Sequence, residues 1–186
     1  MDHAKEQTLI LAKPDALQRG LVGEIIRRFE QKKFRLVALK MVRPTKLHVR
    51  KHYLPTKEQL EGMGNKTLEG MRAGKKDVKQ LMGTDHPFKL GKIINRWNEI
   101  FLSSGPTVVM IFEGNNAVLS GRSIVGHTIP ASAAPGTIRG DFSKDTAVRA
   151  NTERRAVYNL VHASGTVAEA KREIEHWFTA QELHRY

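Results

Sequence analysis

The sequence Asn159-Leu-Val-His-Ala-Ser-Gly-Thr-Val-Ala-Glu-Ala170 decides the fold, because it joins the end of a strand to the start of a helix. Residues 156–161 are mostly apolar, which predicts a buried strand. Apolar residues then recur at helical spacing, namely Val167, Ala170, Ile174, Trp177 and Phe178. His162 is therefore expected where the strand ends and before the helix begins, a place where reactive side chains are often found.

The residues that follow His162 predict how its ring could be held. Thr166 and Glu169 have the spacing of a capping box, so the helix should start at Thr166. A histidine acts as a nucleophile only when it is neutral, and its second ring nitrogen must donate a hydrogen bond that fixes the tautomer. Either Glu169 or Glu173 could accept that bond, and Ser164 could relay or brace it.

The composition is typical of a globular protein whose length suits one domain. Of the 186 residues, 40% are hydrophobic and 27% are charged. The sequence has no cysteine, which excludes disulfides, thiolate metal sites and cysteine nucleophiles. No apolar run approaches the roughly 20 residues that span a bilayer, and residues 1–7 lack the apolar core of a signal peptide. We therefore expect a cytoplasmic protein without a membrane segment.

The chain is strongly basic, with 31 Lys and Arg residues, 19 Asp and Glu residues and a net charge of +12. An excess of this size permits binding to polyanions. Neither a zinc-ligand pattern nor an RNA-binding aromatic motif accompanies the charge, so dedicated nucleic-acid binding is not expected. The simpler interpretation is that basic residues cover solvated faces and that some of them neutralise nucleotide phosphates.

The order of the predicted elements gives the fold class. Strands are predicted at residues 8–12, 35–42 and 107–114, in addition to the strand at residues 156–161. Helical patterns follow the first strand and the third, which gives the order βαββαβ. This order predicts an α+β, ferredoxin-like fold, in which a four-stranded antiparallel sheet has helices packed on one face.

Three segments lack the regular pattern of the rest. Residues 54–90 contain several glycines and many lysines, and they are predicted to be an insertion of short helices and turns in a single domain of 186 residues. Residues 130–142 are predicted to be a loop, because prolines and a Pro-Gly pair interrupt regular structure. Residues 143–155 are polar, which indicates a surface segment.

Several motifs, spread along the chain, carry a resemblance to one enzyme family. They are Lys13-Pro-Asp-Ala16, Gln18-Arg-Gly-Leu-Val-Gly23, Lys51-His-Tyr53, Gly121-Arg-Ser-Ile-Val-Gly-His-Thr128, Thr137-Ile-Arg-Gly-Asp-Phe142 and Asn159-Leu-Val-His-Ala-Ser-Gly165. On these motifs the chain is identified as a member of the nucleoside diphosphate kinase family, and it resembles the longer, archaeal-type form that has an insertion. The fold of that family is the ferredoxin-like fold that the order of elements predicts.

The resemblance implies an activity and the residues that perform it. In the implied ping-pong mechanism, a neutral His162 takes the γ-phosphate of a nucleoside triphosphate, and a nucleoside diphosphate then accepts it. The implied catalytic residues are His162, Glu173, which orients its ring, and Ser164 beside it. The implied nucleotide-binding residues are Lys13, Tyr53, Arg122, Thr128, Arg139 and Asn159.

The sequence lacks the two common phosphate-binding loops, and this bears on how the phosphates are held. It contains neither a P-loop nor the glycine-rich loop of protein kinases, so side chains and a metal must neutralise the phosphates. The resemblance implies Mg²⁺ held mostly by the phosphates, without an assigned protein ligand. Asp141 is expected in a turn or a helix cap rather than at a metal. The implied partners are nucleoside tri- and diphosphates and further copies of the chain, most often in a hexamer.

The sequence leaves open the residue that stacks on the nucleobase and an alternative function. The residue that stacks on the nucleobase could be Phe88, Ile94 or Trp97. The alternative function is a non-catalytic basic protein on the same fold that binds nucleotides or nucleic acid. Phosphate exchange, compared with salt-dependent DNA binding, would separate the two functions.

Overall fold

The computed structural model describes residues 5–186, which fold into two units. The first unit contains the chain up to Pro44, together with Gly105–Lys144 and Asn159–Tyr186, and the second contains Thr45–Ser104 and Asp145–Tyr158. The helices, in chain order, are α1 (Pro14–Gln18), α2 (Val22–Gln31), α3 (Lys46–His52), α4 (Lys57–Ala73), α5 (Val78–Met82), α6 (Pro87–Leu102), α7 (Ala117–Val125), α8 (Ile138–Phe142), α9 (Ala147–Thr152) and α10 (Val167–Trp177).

A four-stranded sheet forms the centre of the first unit. Its strands are β1 (Glu6–Ala12), β2 (Arg35–Val42), β3 (Thr107–Gly114) and β4 (Val161–Ala163). Their order in the sheet is β2-β3-β1-β4, and each neighbouring pair is antiparallel. This arrangement confirms the predicted α+β, ferredoxin-like fold.

One face of the sheet is covered by α2 and α7. Ile10 of β1 lies in a core with Ile25 and Phe29 of α2. The ring of Phe29 stacks on that of Phe112 in β3, with 4.4 Å between the ring centroids. The spacing of Ile25 and Phe29 along α2 brings both side chains to the same side of the helix, which is why this amphipathic segment packs on the sheet.

The opposite face is covered by α10. Leu9 and Leu11 of β1 point to this face and are fully buried. His162 is the partner of Leu11 in the antiparallel register and contacts Glu173 of α10, so α10 lies on the same side. Helices therefore pack on both faces, whereas the sequence analysis expected one. The reason is that the central strand β1 is apolar on both sides, and both sides need cover.

The second unit is built from helices, and α4 and α6 approach each other closely through glycines. A Cβ atom on Gly64 of α4 would lie 1.9 Å from the carbonyl oxygen of Pro87, and one on Gly91 of α6 would lie 1.9 Å from that of Leu60. The side chain of a larger residue could not fit in either place. The two glycines therefore set the distance between the helices.

The predicted insertion at residues 54–90 is more regular than short helices and turns. It contains all of α4, which has 17 residues, and α5. Helix α4 begins with a capping box between Thr56 and Gln59, and it buries Leu60 and Met71. The glycines of this segment suggested frequent turns, but Gly64 serves helix packing instead.

The strand expected at residues 156–161 is shorter and begins later, since β4 comprises only Val161–Ala163. Leu160 has a φ of +67°, in the left-handed region, and an extended strand cannot pass through such a residue. His162 consequently lies in the middle of the strand and not after its end. Of the apolar residues before it, Ala156, Leu160 and Val161 are buried as predicted, whereas Tyr158 is exposed. Leu160 reaches the core from a turn.

Two short helices lie in segments for which no helix was predicted. Within residues 130–142, predicted to be a loop, α8 starts after Thr137, whose hydroxyl oxygen accepts a hydrogen bond from the backbone N–H of Gly140. Within residues 143–155, predicted to be a surface segment, α9 buries Ala150 and Asn151. Helices of 5 and 6 residues are too short to show an amphipathic period in a sequence, which explains why neither was predicted.

The close crossing in the second unit gives a testable prediction. Gly91→Ala should destabilise the protein by at least about 1–3 kcal/mol, because the new methyl group overlaps the Leu60 backbone. Gly62→Ala is the matched control on α4, since a Cβ there meets nothing within 4 Å, and it should stabilise by roughly 0.5–1 kcal/mol. Urea denaturation of both variants measures the difference. Equal stabilities would contradict the packing role of Gly91.

Candidate active site

The centre of the candidate site is a chain of three side chains on β4 and α10. Nε2 of His162 lies 3.0 and 3.1 Å from the two carboxylate oxygens of Glu173. The hydroxyl of Ser164 donates to Oε2 of Glu173 at 2.6 Å. Glu173 is almost fully buried, while the His162 side chain keeps 15% of its surface exposed. The three predicted catalytic residues are thus in direct contact.

The structure decides between the two glutamates that could face His162. Glu169 instead accepts a hydrogen bond from the backbone N–H of Gly165 at 2.8 Å. The N–H of Glu169 donates to Thr166 Oγ1 at 3.1 Å, so Thr166 caps α10 as predicted. The Glu169 carboxylate does not return a bond to the Thr166 N–H, as a capping box would require, because it accepts from Gly165. Glu169 therefore shapes the loop between β4 and α10, and Glu173 holds the ring.

The environment of Glu173 keeps it an anion. Burial by itself would raise the pKa of this carboxyl, but the facing His162 ring and the Ser164 hydroxyl outweigh burial and hold the pKa below its ordinary value. An ionised carboxylate only accepts hydrogen bonds. Nε2 of a neutral His162 must therefore carry the proton, and Nδ1 carries the lone pair.

A tight turn directly before His162 is held by hydrogen bonds to the backbone of Leu160 and Val161. Within the turn, Val161 N–H donates to the carbonyl of Asn159 at 2.7 Å, which bridges the left-handed Leu160. The N–H of Leu160 donates to Oδ2 of Asp15 at 3.0 Å, and its carbonyl accepts from Lys13 N–H at 2.8 Å. The end of β1 and the start of α1 thus fix the turn from one side.

Arg139 fixes the same turn from another side. Its guanidinium is buried and donates to the backbone carbonyls of Asn159 at 3.1 Å and of Gly126 at 2.9 Å, and also to that of Val161. The family resemblance implies that this arginine contacts phosphate through its side chain. The structure adds a second role, because the guanidinium joins the turn before His162 to the end of α7.

Lys13 and Asn159 meet beside this turn. Nζ of Lys13 donates to Oδ1 of Asn159 at 2.9 Å, and both side chains are buried. Burial, and next the charge of Arg139, lower the pKa of Lys13 to about 8, although Asp15 acts in the opposite direction. Burial raises the pKa of Asp15, against the effect of Lys13 and of the backbone N–H groups that it accepts from. The site therefore holds cations that are costly to bury.

Arg122 and Thr128 lie at and after the end of α7, at the exposed edge of the site. The amide of Asn159 donates to the carbonyl of Thr128 at 2.9 Å, which ties that segment to the turn. A Cβ on Gly165 would lie 3.8 Å from Nη1 of Arg122, so the arginine reaches the loop that follows β4. Both predicted residues are thus near the His162 segment and accessible from solvent.

Several predicted residues belong to the second unit. Tyr53 follows α3, and the three candidates for stacking on a nucleobase, Phe88, Ile94 and Trp97, lie on α6. Asp141, in the first unit, accepts a hydrogen bond from Gly136 N–H at 2.8 Å and pairs with Arg28 at 2.7 Å. These contacts give Asp141 the turn role that the sequence analysis expected.

Asp15 is the residue of the site that the sequence analysis did not single out. Its motif was noted only for Lys13, and an aspartate after a proline at a helix start has an ordinary structural explanation. Its partner Leu160 lies 145 positions away in the chain. Such a separation leaves no signal in a single sequence, and the only hint was that Lys13-Pro-Asp-Ala16 belongs to a matched motif.

The arrangement is suited to chemistry on an anion. It presents a histidine with a fixed tautomer and cations at buried and exposed positions. Polar groups from two of the segments that connect the strands lie beside them. Guanidinium and ammonium groups are the usual protein ligands of phosphate oxygens. None of the helices in residues 5–186 has the length and apolar character that a membrane span requires.

Comparison with known proteins shows where this arrangement recurs. A family model described as nucleoside diphosphate kinase matches residues 6–87 and 93–183. A nucleoside diphosphate kinase of Pyrobaculum aerophilum is 47% identical over 96% of this chain and 97% of its own length. The human nucleoside diphosphate kinase B is 39% identical over 97% of this chain and 91% of its own length.

Solved structures give the same result. The crystal structure of an NDP kinase from Pyrobaculum aerophilum has a TM-score of 0.94 and 45% identity, and it covers 97% of this chain and 100% of its own. A nucleoside diphosphate kinase from Borrelia burgdorferi, solved as a transition-state mimic with vanadate and ADP, has a TM-score of 0.78 and 31% identity. That match covers 98% of this chain and 92% of the other.

Proposed function

The chain belongs to the nucleoside diphosphate kinase family, and from this premise we propose that His162 is the nucleophile of its phosphoryl transfer. The activity of the enzyme is transfer of the γ-phosphate of a nucleoside triphosphate to a nucleoside diphosphate. The observation that carries the proposal is the contact between Nε2 of His162 and both carboxylate oxygens of Glu173. It leaves Nδ1 as the nitrogen with the nucleophilic lone pair.

Two displacements at phosphorus make up the proposed ping-pong mechanism. In the first, the Nδ1 lone pair of His162 attacks the γ-phosphorus, the bond to the bridging β-phosphate oxygen breaks, and the nucleoside diphosphate leaves. In the second, a terminal oxygen of another nucleoside diphosphate attacks the same phosphorus, and the N–P bond breaks. The ring keeps its Nε2 proton throughout, and Glu173 stabilises the charge that the phosphorylated ring carries.

Charge stabilisation is the main task of the other residues, because phosphoryl transfer needs little further covalent help. We propose that Lys13, Arg122 and Arg139 neutralise the phosphates, with Thr128 and Asn159 as neutral donors. The nucleotide-binding role that the resemblance implies for Tyr53 stays a prediction. The lowered pKa of Lys13, about 8, supports a phosphate beside it. An anionic ligand would favour the charged form of this lysine and offset the cost of its burial. The Borrelia burgdorferi relative was solved with bound vanadate and ADP, which supports the same type of ligand for this chain.

Enzymes of this family use a divalent metal for catalysis, and we propose Mg²⁺ for this chain. Near His162, Glu173 accepts from His162 and Ser164, and Asp15 accepts from two backbone N–H groups. We propose that phosphate oxygens and water supply most of the ligands, which suits Mg²⁺. When bound, the ion would neutralise charge that develops on the phosphates.

Labelling tests the proposed nucleophile. Incubation with γ-labelled ATP and Mg²⁺, without an acceptor, should transfer label to the protein, and the label should be acid-labile and alkali-stable as expected for phosphohistidine. His162→Ala should abolish labelling and exchange, whereas His127→Ala, an exposed histidine beyond α7, should retain both. Omission of Mg²⁺ should prevent labelling. Label that persists in His162→Ala, or is absent from the wild type, would reject the mechanism.

The orienting role of the carboxylate gives a second prediction. Glu173→Gln should lower the rate of His162 phosphorylation by roughly 10²-fold or more, because an amide neither fixes the tautomer nor stabilises a positive ring. Glu169→Gln, on the same helix, keeps an oxygen acceptor for the Gly165 N–H and should leave the rate nearly unchanged. Rapid-quench measurement of labelling compares the two. Similar rates in both variants would exclude a special role for Glu173.

We further propose that the chain forms homo-oligomers, and a hexamer in particular, in the cytoplasm where nucleotides are interconverted. Leu39 and Met41 support association, because these apolar side chains on the sheet edge β2 have 47% and 64% of their surface exposed. Sedimentation equilibrium should give six times the mass of the 21.0 kDa chain. Leu39→Lys should reduce that mass, and a monomeric wild type would refute the assembly.

A further inference from the structure

Asp15 accepts a hydrogen bond from the backbone N–H of Leu160, which lies in the turn before His162. Its Oδ2 accepts from Leu160 N–H at 3.0 Å, and its Oδ1 accepts from Ala16 N–H at 3.1 Å. We propose that Asp15 is a positioning residue for phosphoryl transfer, because it keeps Leu160 in the left-handed turn that sets the place of the His162 ring. This inference rests on the proposed role of His162.

The conformation of Leu160 needs such a partner. A residue with a Cβ is strained in the left-handed region, and Leu160 has a φ of +67°. Its side chain is also buried in the core of the first unit. A buried N–H without an acceptor would add a further cost to this conformation. The bond to Asp15 avoids this cost only while the turn persists, and so it favours the turn over extended alternatives.

The turn and the sheet hold His162 together. Strand β4 has only three residues, and it pairs with β1 through Val161, His162 and Ala163. On its C-terminal side, the N–H of Ser164 donates to the Leu9 carbonyl at 3.2 Å. On its N-terminal side, the turn joins it within two residues to Asp15 and Lys13, at the junction of β1 and α1. The backbone of His162 is therefore anchored from both sides, and Asp15 belongs to the N-terminal anchor.

The chemistry of the side chain explains why a carboxylate is present. Asp15 must accept from two N–H groups that approach different oxygens, and an ionised carboxylate provides both acceptors. An asparagine of the same shape provides one acceptor and would point its NH₂ group at the other N–H. Because both oxygens of Asp15 already accept from the backbone, its proposed influence on the reaction passes through Leu160 and not through the nucleotide.

A comparison of two carboxylate variants tests the inference. Asp15→Asn should lower the single-turnover rate of His162 labelling by γ-labelled ATP on the order of 100-fold, the effect of a misplaced reacting group. Its affinity for a nucleoside diphosphate, measured by calorimetry, should change far less than this rate, because Asp15 affects phosphate binding only through the charge of Lys13. The rate is measured well below the unfolding temperature of the variant, so that a loss of stability alone does not move it.

Glu113→Gln is the matched control, because Glu113 is a carboxylate of similar burial at the other end of the sheet. It accepts from Gln7 Nε2 at 3.0 Å and pairs with Arg35, and its loss should lower stability without changing the labelling rate. A labelling rate in Asp15→Asn equal to that of Glu113→Gln would overturn the inference. Absence of label from His162 in the wild type would instead overturn the proposed function, and the two failures are thus distinguishable.

Hydrogen exchange on the wild-type protein keeps the inference testable if Asp15→Asn does not fold. The Leu160 amide should exchange as slowly as the amides of Leu9 and Leu11 in the centre of β1, because a buried carboxylate accepts from it. Two-dimensional NMR after transfer to D₂O gives these rates. Exchange of the Leu160 amide at the rate of an exposed amide would show that Asp15 does not hold the turn, and would overturn the proposal.

Discussion

The candidate site depends on one constraint, which is the left-handed conformation of Leu160 immediately before β4. The turn around it brings the chain from the core to the strand that carries His162. Its backbone groups are satisfied by Asp15, by Lys13 N–H and by the Arg139 guanidinium. These partners come from the junction of β1 and α1 and from α8, so two separate parts of the first unit converge on the turn. The position of the histidine is therefore a property of the whole sheet layer and not of its own strand.

Much of the fold was predictable because its signals are local. The strand order follows from four apolar segments with helical patterns between them, and the amphipathic spacing of α2 and α10 appears directly in the sequence. The cap at Thr166 was predictable for the same reason, since its partner lies three residues away. The second face of the sheet was less accessible to prediction. Leu9 and Leu11 are apolar like their neighbours, and a sequence does not show which helix covers them.

The candidate site was predictable where a motif and its local spacing agree. It was not predictable where residues far apart in the chain contact each other. Glu173 follows His162 by 11 residues, on the next helix, so it was one of two candidates. Spacing alone did not separate it from Glu169, because that choice depends on how α10 turns relative to β4, and only the family resemblance favoured Glu173. The bond between Asp15 and Leu160 spans 145 positions, and the backbone role of Arg139 involves carbonyl groups, which every residue has. Neither contact is marked in the sequence by a composition bias or by a periodic pattern.

The same network explains why a site so rich in cations can exist before any anion binds. Lys13 and Arg139 are both buried, and the charge of the arginine lowers the pKa of the lysine. The two positive charges therefore repel each other. The guanidinium compensates through bonds to three backbone carbonyls, and the ammonium compensates through Asn159 and the nearby Asp15. These polar bonds hold both cations in place without cancelling their charge. A bound phosphate would therefore find them already desolvated and oriented, which is the condition under which electrostatic stabilisation of a transition state is strongest.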